Sequence, residues 1–349
     1  MNYLKAITQI IAVVLIAFFI SCTGGEKKSK QSESNTPVQV KAAPVEINTE
    51  AKALLSYLEE MGDYVNGRNF PSLIKATSVF EELEKNNHII DLRGADAFAK
   101  GHIKGAVNVE FSKLPDYFTN DIKPFEFDRI ILVCFSGQTS SYSASLMRLM
   151  GYGNVYAMRW GMSGWNKDFA GDWWLNAVSS DYGNKLEAGD NEKETAMDFP
   201  QMNTGKTSGE EILTARFNRL FEAGFSEAII SAEKVFEQPS NYFTINYDRR
   251  DKYEAGHIPG AIRYKPNGTL GIVSEMQTIP SNKEVVVYCG TGHNSGFVTA
   301  YLRLFGYDAK TLLYGNNAFM HDKMIQDKNT LSWLPFSESE IGDYPTVKN

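Results

Sequence analysis

A chain of 349 residues has room for two or three domains at roughly 100–200 residues apiece. Apolar residues at 43% and charged residues at 22% exclude wholesale disorder and an all-membrane protein. The formal net charge of −7 argues against nucleic acid as the main partner, because phosphate binding needs a basic surface. The three cysteines, Cys22, Cys134 and Cys289, are too few for a disulfide scaffold, and none has the C-x-x-C spacing of a structural zinc site.

Residues 1–21 place Lys5 ahead of an apolar run from Ile10 to Ile20, followed by Ser21-Cys22. The run is too short to cross a hydrocarbon core about 30 Å thick, so it reads as the core of a signal peptide. A small residue and then cysteine directly after that core resembles the bacterial lipoprotein signal. The resemblance implies cleavage before Cys22 and lipid attachment to it, leaving an exported protein anchored to a membrane. The alternative is a plain secretory signal with an incidental cysteine. Residues 22–48 are rich in Ser, Lys, Gln, Gly and Pro and hold few large apolar side chains, the composition of a flexible tether.

The remainder repeats itself. A shift of 155 residues lays Asp96 on Asp251, Gly101-His102-Ile103 on Gly256-His257-Ile258, Cys134 on Cys289 and Gly151-Tyr152 on Gly306-Tyr307. One domain is therefore present twice, over 49–176 and 208–349, with an acidic, polar linker over 177–207. Each copy opens on a helical apolar stripe: Leu54, Leu55, Leu58, Met61 and Val65 in the first, and Ile212, Leu213, Phe217, Leu220 and Phe221 in the second. Short apolar runs follow, 89–92 and 130–133 in copy one, 244–247 and 285–288 in copy two. Runs of that length followed by helical patterns predict an α/β fold, a mainly parallel sheet flanked by helices.

Each repeated cysteine directly follows such a strand. Cys134-Phe135-Ser136-Gly137-Gln138-Thr139-Ser140 and Cys289-Gly290-Thr291-Gly292-His293-Asn294-Ser295 then lead into helices that stop at Gly151 and Gly306. A loop between a parallel strand's carboxyl end and a helix N-terminus turns its backbone N–H groups inward and adds the partial positive charge of the helix end. A cysteine placed there is expected to react as thiolate, with the rest of the loop as an anion cradle. Gly137 and Gly292 permit the tight curl, and Ser140 and Ser295 are placed as helix N-caps.

In this order the motifs resemble the rhodanese family of sulfurtransferases in tandem form. Copy one carries Ile90-Asp91-Leu92-Arg93, Gly101-His102-Ile103-Lys104-Gly105-Ala106, the Cys134 loop and Gly161-Met162-Ser163-Gly164-Trp165. Copy two carries Ala255-Gly256-His257-Ile258-Pro259-Gly260-Ala261, the Cys289 loop and a looser Tyr314-Gly315. The resemblance implies two rhodanese-like domains. It implies transfer of a sulfane sulfur from a small donor such as thiosulfate or mercaptopyruvate, through a persulfide on Cys134 or Cys289, to a thiol or cyanide. No metal or organic cofactor is implied. Related phosphatases use a longer loop ending in arginine, so the short loops here favour sulfur over phosphate chemistry.

Four features set this chain apart or stay open. Thr139 and Asn294 stand where many single-domain rhodaneses carry arginine, and neither loop contains Arg or Lys, so tight binding of an anionic donor requires basic residues from elsewhere. Copy two has Asn246 and Asp248 in place of Asp91 and Arg93, a pair expected to serve structure. Among the histidines, His102 and His257 read as structural, while His293 is either an imidazolium beside Cys289 or an exposed loop residue. Trp160, Trp165, Trp173 and Trp174 are expected to pack at the domain junction. The competing reading for the whole chain is a non-catalytic module on the same fold that binds a partner or senses redox state through these cysteines.

Overall fold

The computed structural model describes residues 45–271, 275–327, 329–330 and 333–348. The signal segment, Cys22 and the tether through residue 44 lie outside the described residues. Val45 and Asn48, at the end of the segment read as tether, are already engaged: the Val45 carbonyl accepts from Gln277 Nε2–H, and Asn48 caps the first helix by accepting from Ala51 N–H. That helix, α1 (Thr49–Glu60), buries Leu54, Leu55 and Leu58 of the predicted stripe, but it ends sooner than expected: Met61 is its exposed C-cap, and Val65 is buried in the turn beyond. Among the described residues no helix is long and apolar enough to cross a membrane.

Domain 1 continues with β1 (Leu73–Ile74), α2 (Ala76–Glu81), β2 (Asn87–Asp91), α3 (Ala95–Lys100), β3 (Val107–Asn108), α4 (Leu114–Asp116), β4 (Arg129–Val133), α5 (Gln138–Leu149), β5 (Val155–Met158) and α6 (Gly161–Trp165). Domain 2 repeats the pattern with α7 (Gly209–Ala223), β6 (Ile229–Ile230), α8 (Ala232–Glu237), β7 (Tyr242–Asn246), α9 (Arg250–Ala255), β8 (Ile262–Arg263), β9 (Glu284–Tyr288), α10 (His293–Leu304), β10 (Ala309–Leu312) and α11 (His321–Gln326). Both sheets are parallel and have the same order, β1-β5-β4-β2-β3 and β6-β10-β9-β7-β8. The central strands β4 and β9 are covered on both faces, which is why they read as unbroken apolar runs.

Alternation within those strands divides the core. Ile90 and Leu132 of domain 1 face the same apolar cluster as Val285 and Val287 of domain 2, whereas Ile89, Ile131 and Val133 face a separate layer under α2 and α6. The shared cluster also contains Leu146 of α5 and Phe297 of α10, and Ser145 Oγ of α5 donates to the Phe297 carbonyl at 2.9 Å. The helices that follow the two cysteine loops thus pack on each other between the sheets.

The linker is a strap laid on the structure rather than a free span. Ser179 N–H donates to the Asn317 carbonyl, Glu187 and His257 exchange backbone hydrogen bonds, and Phe199 and Met202 enter the shared core. The chain's end, which the repeat places with domain 2, lies against domain 1. Tyr344 N–H donates to the Trp165 carbonyl, and Val347 and His102 exchange backbone hydrogen bonds. The four tryptophans expected at the junction divide among three locations. Trp160 and Trp174 pack with Phe336 and Tyr314 at the junction, as expected, whereas Trp165 belongs to domain 1's outer core and Trp173 stacks on Phe135, 4.3 Å between ring centroids.

Candidate active site

Each cysteine sits just past a central strand, and its sulfur is met by the backbone of its own loop. Gly137 N–H and Ser140 N–H donate to Cys134 Sγ at 3.1 and 3.4 Å, and Ser295 N–H donates to Cys289 Sγ at 3.4 Å. Inward N–H groups at the first turn of a helix favour negative charge on the atom they enclose. Gly137 and Gly292 adopt φ of +87° and +77° and start the helices, so they, and not Ser140 and Ser295, are the N-caps. The left-handed turn begins each helix earlier than the serine spacing predicts, which draws Ser140 and Ser295 into the first turn. Their Oγ atoms lie 3.5 and 3.6 Å from the cysteine sulfurs.

The turn after β5 or β10 holds each loop from behind. Met162 N–H donates to the Cys134 carbonyl at 2.8 Å, and Asn316 N–H to the Cys289 carbonyl at 3.0 Å. Gly161 and Gly315 have positive φ, and a Cβ at either would overlap that cysteine's carbonyl oxygen.

The fifth residue of each loop leaves its own domain. Gln138 Oε1 accepts from Tyr314 N–H at 2.8 Å, and His293 Nε2 lies 3.3 Å from Trp160 N and 3.1 Å from the Ser136 carbonyl oxygen. One neutral tautomer donates Nε2–H to Ser136, with Nδ1 accepting from the Thr291 hydroxyl 2.8 Å away. His293 is fully buried, and burial, reinforced by the charge of Arg159, brings its pKa down to about 3. Both sequence-based placements of His293 are therefore corrected: it is neither exposed nor an imidazolium, because the domain interface desolvates it. Trp174 Nε1–H donates to the same Ser136 carbonyl at 2.9 Å, so two residues from outside the loop hold this turn. His102 and His257 are structural, each stacked on the ring four residues earlier with Nδ1 2.9 Å from that residue's carbonyl oxygen.

The two loops differ in what surrounds them. In domain 1 Arg93 forms a buried fork with Asp91 (Nη2 to Oδ2, 2.7 Å), donates to the Gly101 carbonyl and ties β2 to the end of α3. In domain 2 Asp248 occupies the arginine's place and pairs with Lys252 of α9 at 3.0 Å. This substitution bears on the site and not only on packing, since a Cβ at Gly290 would lie 3.7 Å from Asp248 Oδ2 and 3.8 Å from Lys252 Nζ. Cys289, Lys252, Asn294 and Thr291 line one cavity of about 260 Å³, together with Arg159 from domain 1. Domain 1 has a cavity of about 490 Å³ beside Arg93, Ala97 and Phe135, the counterparts of Asp248, Lys252 and Gly290, but its lining stops at Phe135 and does not include Cys134. The Phe135–Trp173 stack stands where glycine leaves domain 2 open.

Arg159 and Lys252 are the residues that sequence reasoning missed. Both lie far along the chain from Cys289, and no local motif marks either.

A model of the rhodanese-like domain matches residues 76–168 and 240–322, half of the chain, and each match spans one cysteine loop. The chain belongs to the rhodanese family. Its relatives include a protein named thiosulfate sulfurtransferase GlpE from Shewanella oneidensis, 31% identical over 84 residues that make up 24% of this chain and 79% of that protein. The Pseudoalteromonas translucida protein of the same name is 28% identical over 28% of this chain and 90% of its own. A solved structure titled thiosulfate sulfurtransferase from Pseudomonas aeruginosa is 19% identical, covers 78% of this rhodanese and 48% of that chain, and has a TM-score of 0.27.

Proposed function

We propose that this rhodanese is a sulfurtransferase in which Cys289 takes a sulfane sulfur from a small donor of the thiosulfate or mercaptopyruvate type and passes it to a thiol or cyanide. The observation that carries this reading is the Cys289 sulfur, held by Ser295 N–H on the wall of a cavity that also holds Lys252. With thiosulfate, the Cys289 thiolate attacks the outer sulfur. A new S–S bond forms, the bond to the sulfonate sulfur breaks, and sulfite leaves with the electron pair. The N–H groups of the loop stabilise the persulfide anion as an oxyanion hole stabilises developing charge. Attack by cyanide or a thiolate on the outer sulfur then restores the Cys289 thiolate, giving thiocyanate or a persulfide of the acceptor.

Cys134 has the same chemistry within its loop and is as buried as Cys289, but it does not line the domain 1 cavity, where Phe135 stacks on Trp173, so the non-catalytic reading applies to domain 1. The test is to incubate the protein with thiosulfate or mercaptopyruvate and measure the mass of the two cysteine peptides. An added sulfur on Cys289, greater than on Cys134, is expected, with thiocyanate formation lost in Cys289→Ser and retained in Cys134→Ser. No added sulfur on either peptide and no thiocyanate overturns the sulfurtransferase reading.

A further inference from the structure

The cavity at Cys289 has an ion balance that its own domain does not supply. Lys252 is committed to Asp248 at 3.0 Å, and both side chains are buried, so the pair contributes little net charge. Asn294 and Thr291 are neutral. The remaining charged side chain of the lining is Arg159, which enters from domain 1, directly after β5. Its backbone is fixed by a hydrogen bond from Arg159 N–H to the Ile74 carbonyl at 2.9 Å. Among the described residues its guanidinium forms no hydrogen bond and no ion pair, although it is half-buried and burial disfavours its charge. Glu340, whose charge partly compensates that of Arg159, accepts its hydrogen bond from Trp160 Nε1–H at 2.9 Å. A half-buried guanidinium that forms no direct ion pair and shares a cavity with a nucleophilic thiol has five N–H donors to offer an oxyanion. The corresponding residue after β10 is Leu313, whose backbone N–H makes the equivalent bond to Ile230. The feature is therefore not repeated toward Cys134.

We propose that Arg159 of domain 1 docks the anionic end of the sulfur donor, a sulfonate or a carboxylate, at Cys289 of domain 2, so that the donor site is complete only when both domains are present. This rests on the sulfurtransferase reading for the word donor, but the anion site itself is tested without sulfur transfer. The purified protein is alkylated in parallel with iodoacetate, an anion, and iodoacetamide, its neutral counterpart, and the rates at the Cys289 and Cys134 peptides are read by mass spectrometry. The iodoacetate-to-iodoacetamide rate ratio at Cys289 is expected to fall about tenfold in Arg159→Gln at low ionic strength, to fall less in high salt, and to be largely restored in Arg159→Lys. The ratio at Cys134 stays as it was, which separates the local charge from a general disturbance of the fold.

An unchanged ratio at Cys289, or an equal fall at Cys134, overturns the proposal. In turnover, Arg159→Gln raises KM for thiosulfate and for mercaptopyruvate with a smaller change in kcat. An effect confined to one donor assigns the site to sulfonate or to carboxylate. A protein that never transfers sulfur but whose Cys289 alkylation ratio depends on Arg159 would refute the enzyme and keep the anion site. The converse result would refute the anion site alone.

Discussion

His293 shows how far a single side chain depends on its surroundings. In its loop it follows a glycine at the position where domain 1 has Gln138, and in the folded protein the two residues cross the interface in opposite directions. Because burial holds His293 neutral down to about pH 3, the folded state does not take the proton that the unfolded chain accepts near its ordinary value of 6.5. Over that window the unfolded state binds more protons, so stability rises with pH and is lost as pH falls from about 6.5 toward 3. His293→Gln installs the residue that domain 1 uses at the same place and removes this titration. The stability difference between the variant and the original protein is therefore expected to move in the variant's favour on acidification, by up to about 1.4 kcal/mol per pH unit. Denaturant unfolding at pH 7, 6, 5 and 4 measures it, and parallel pH curves for the two proteins would refute the assignment. His88, also lowered by burial, is present in both proteins and cancels.

At the scale of elements, the repeated unit is strand, cysteine loop, helix, strand and glycine turn. The turn is the part that fixes the loop, since Gly315 at φ +55° passes directly behind the Cys289 carbonyl. Gly260, at φ +74°, has open space where a Cβ would go and so isolates the conformational cost of a left-handed alanine, about 1 kcal/mol. Gly260→Ala is expected to lower stability by that amount and leave sulfur loading intact. Gly315→Ala adds the overlap with the loop, so it should cost at least about 1 kcal/mol more and slow persulfide formation at Cys289. Thermal unfolding and the peptide masses of the two variants provide the comparison, and equal behaviour would show that the turn does not position the cysteine. The strands and the two helices were legible from apolar runs and terminal glycines. The helix starts were misplaced because a glycine in the left-handed region, rather than a serine side chain, opens them.

Across the whole molecule, the two domains share one core through α5 and α10, and the linker and the last residues cross between them. One cooperative transition is expected in calorimetry despite the repeat, with calorimetric and van't Hoff enthalpies equal. Trp174→Ala, which empties a fully buried site at the junction and removes one of the two donors to the Ser136 carbonyl, should destabilise by about 3–5 kcal/mol without creating a second transition. Two well-separated transitions in the unmodified protein would show independent domains. The 155-residue repeat, the parallel sheets and the two cysteine loops could be read from sequence, because each depends on residues adjacent in the chain: an apolar run, a cysteine at its end, a glycine at the turn. The expectation of a lipidated Cys22 rests on sequence alone. Arg159 at Cys289, the crossed His293 and Gln138, and the stacking of Trp173 on Phe135 in the Cys134 loop were decided by tertiary structure. Those contacts join residues that are distant in the chain, and for Arg159, His293 and Gln138 the charge and burial that give them their chemistry exist only once the two copies have packed face to face.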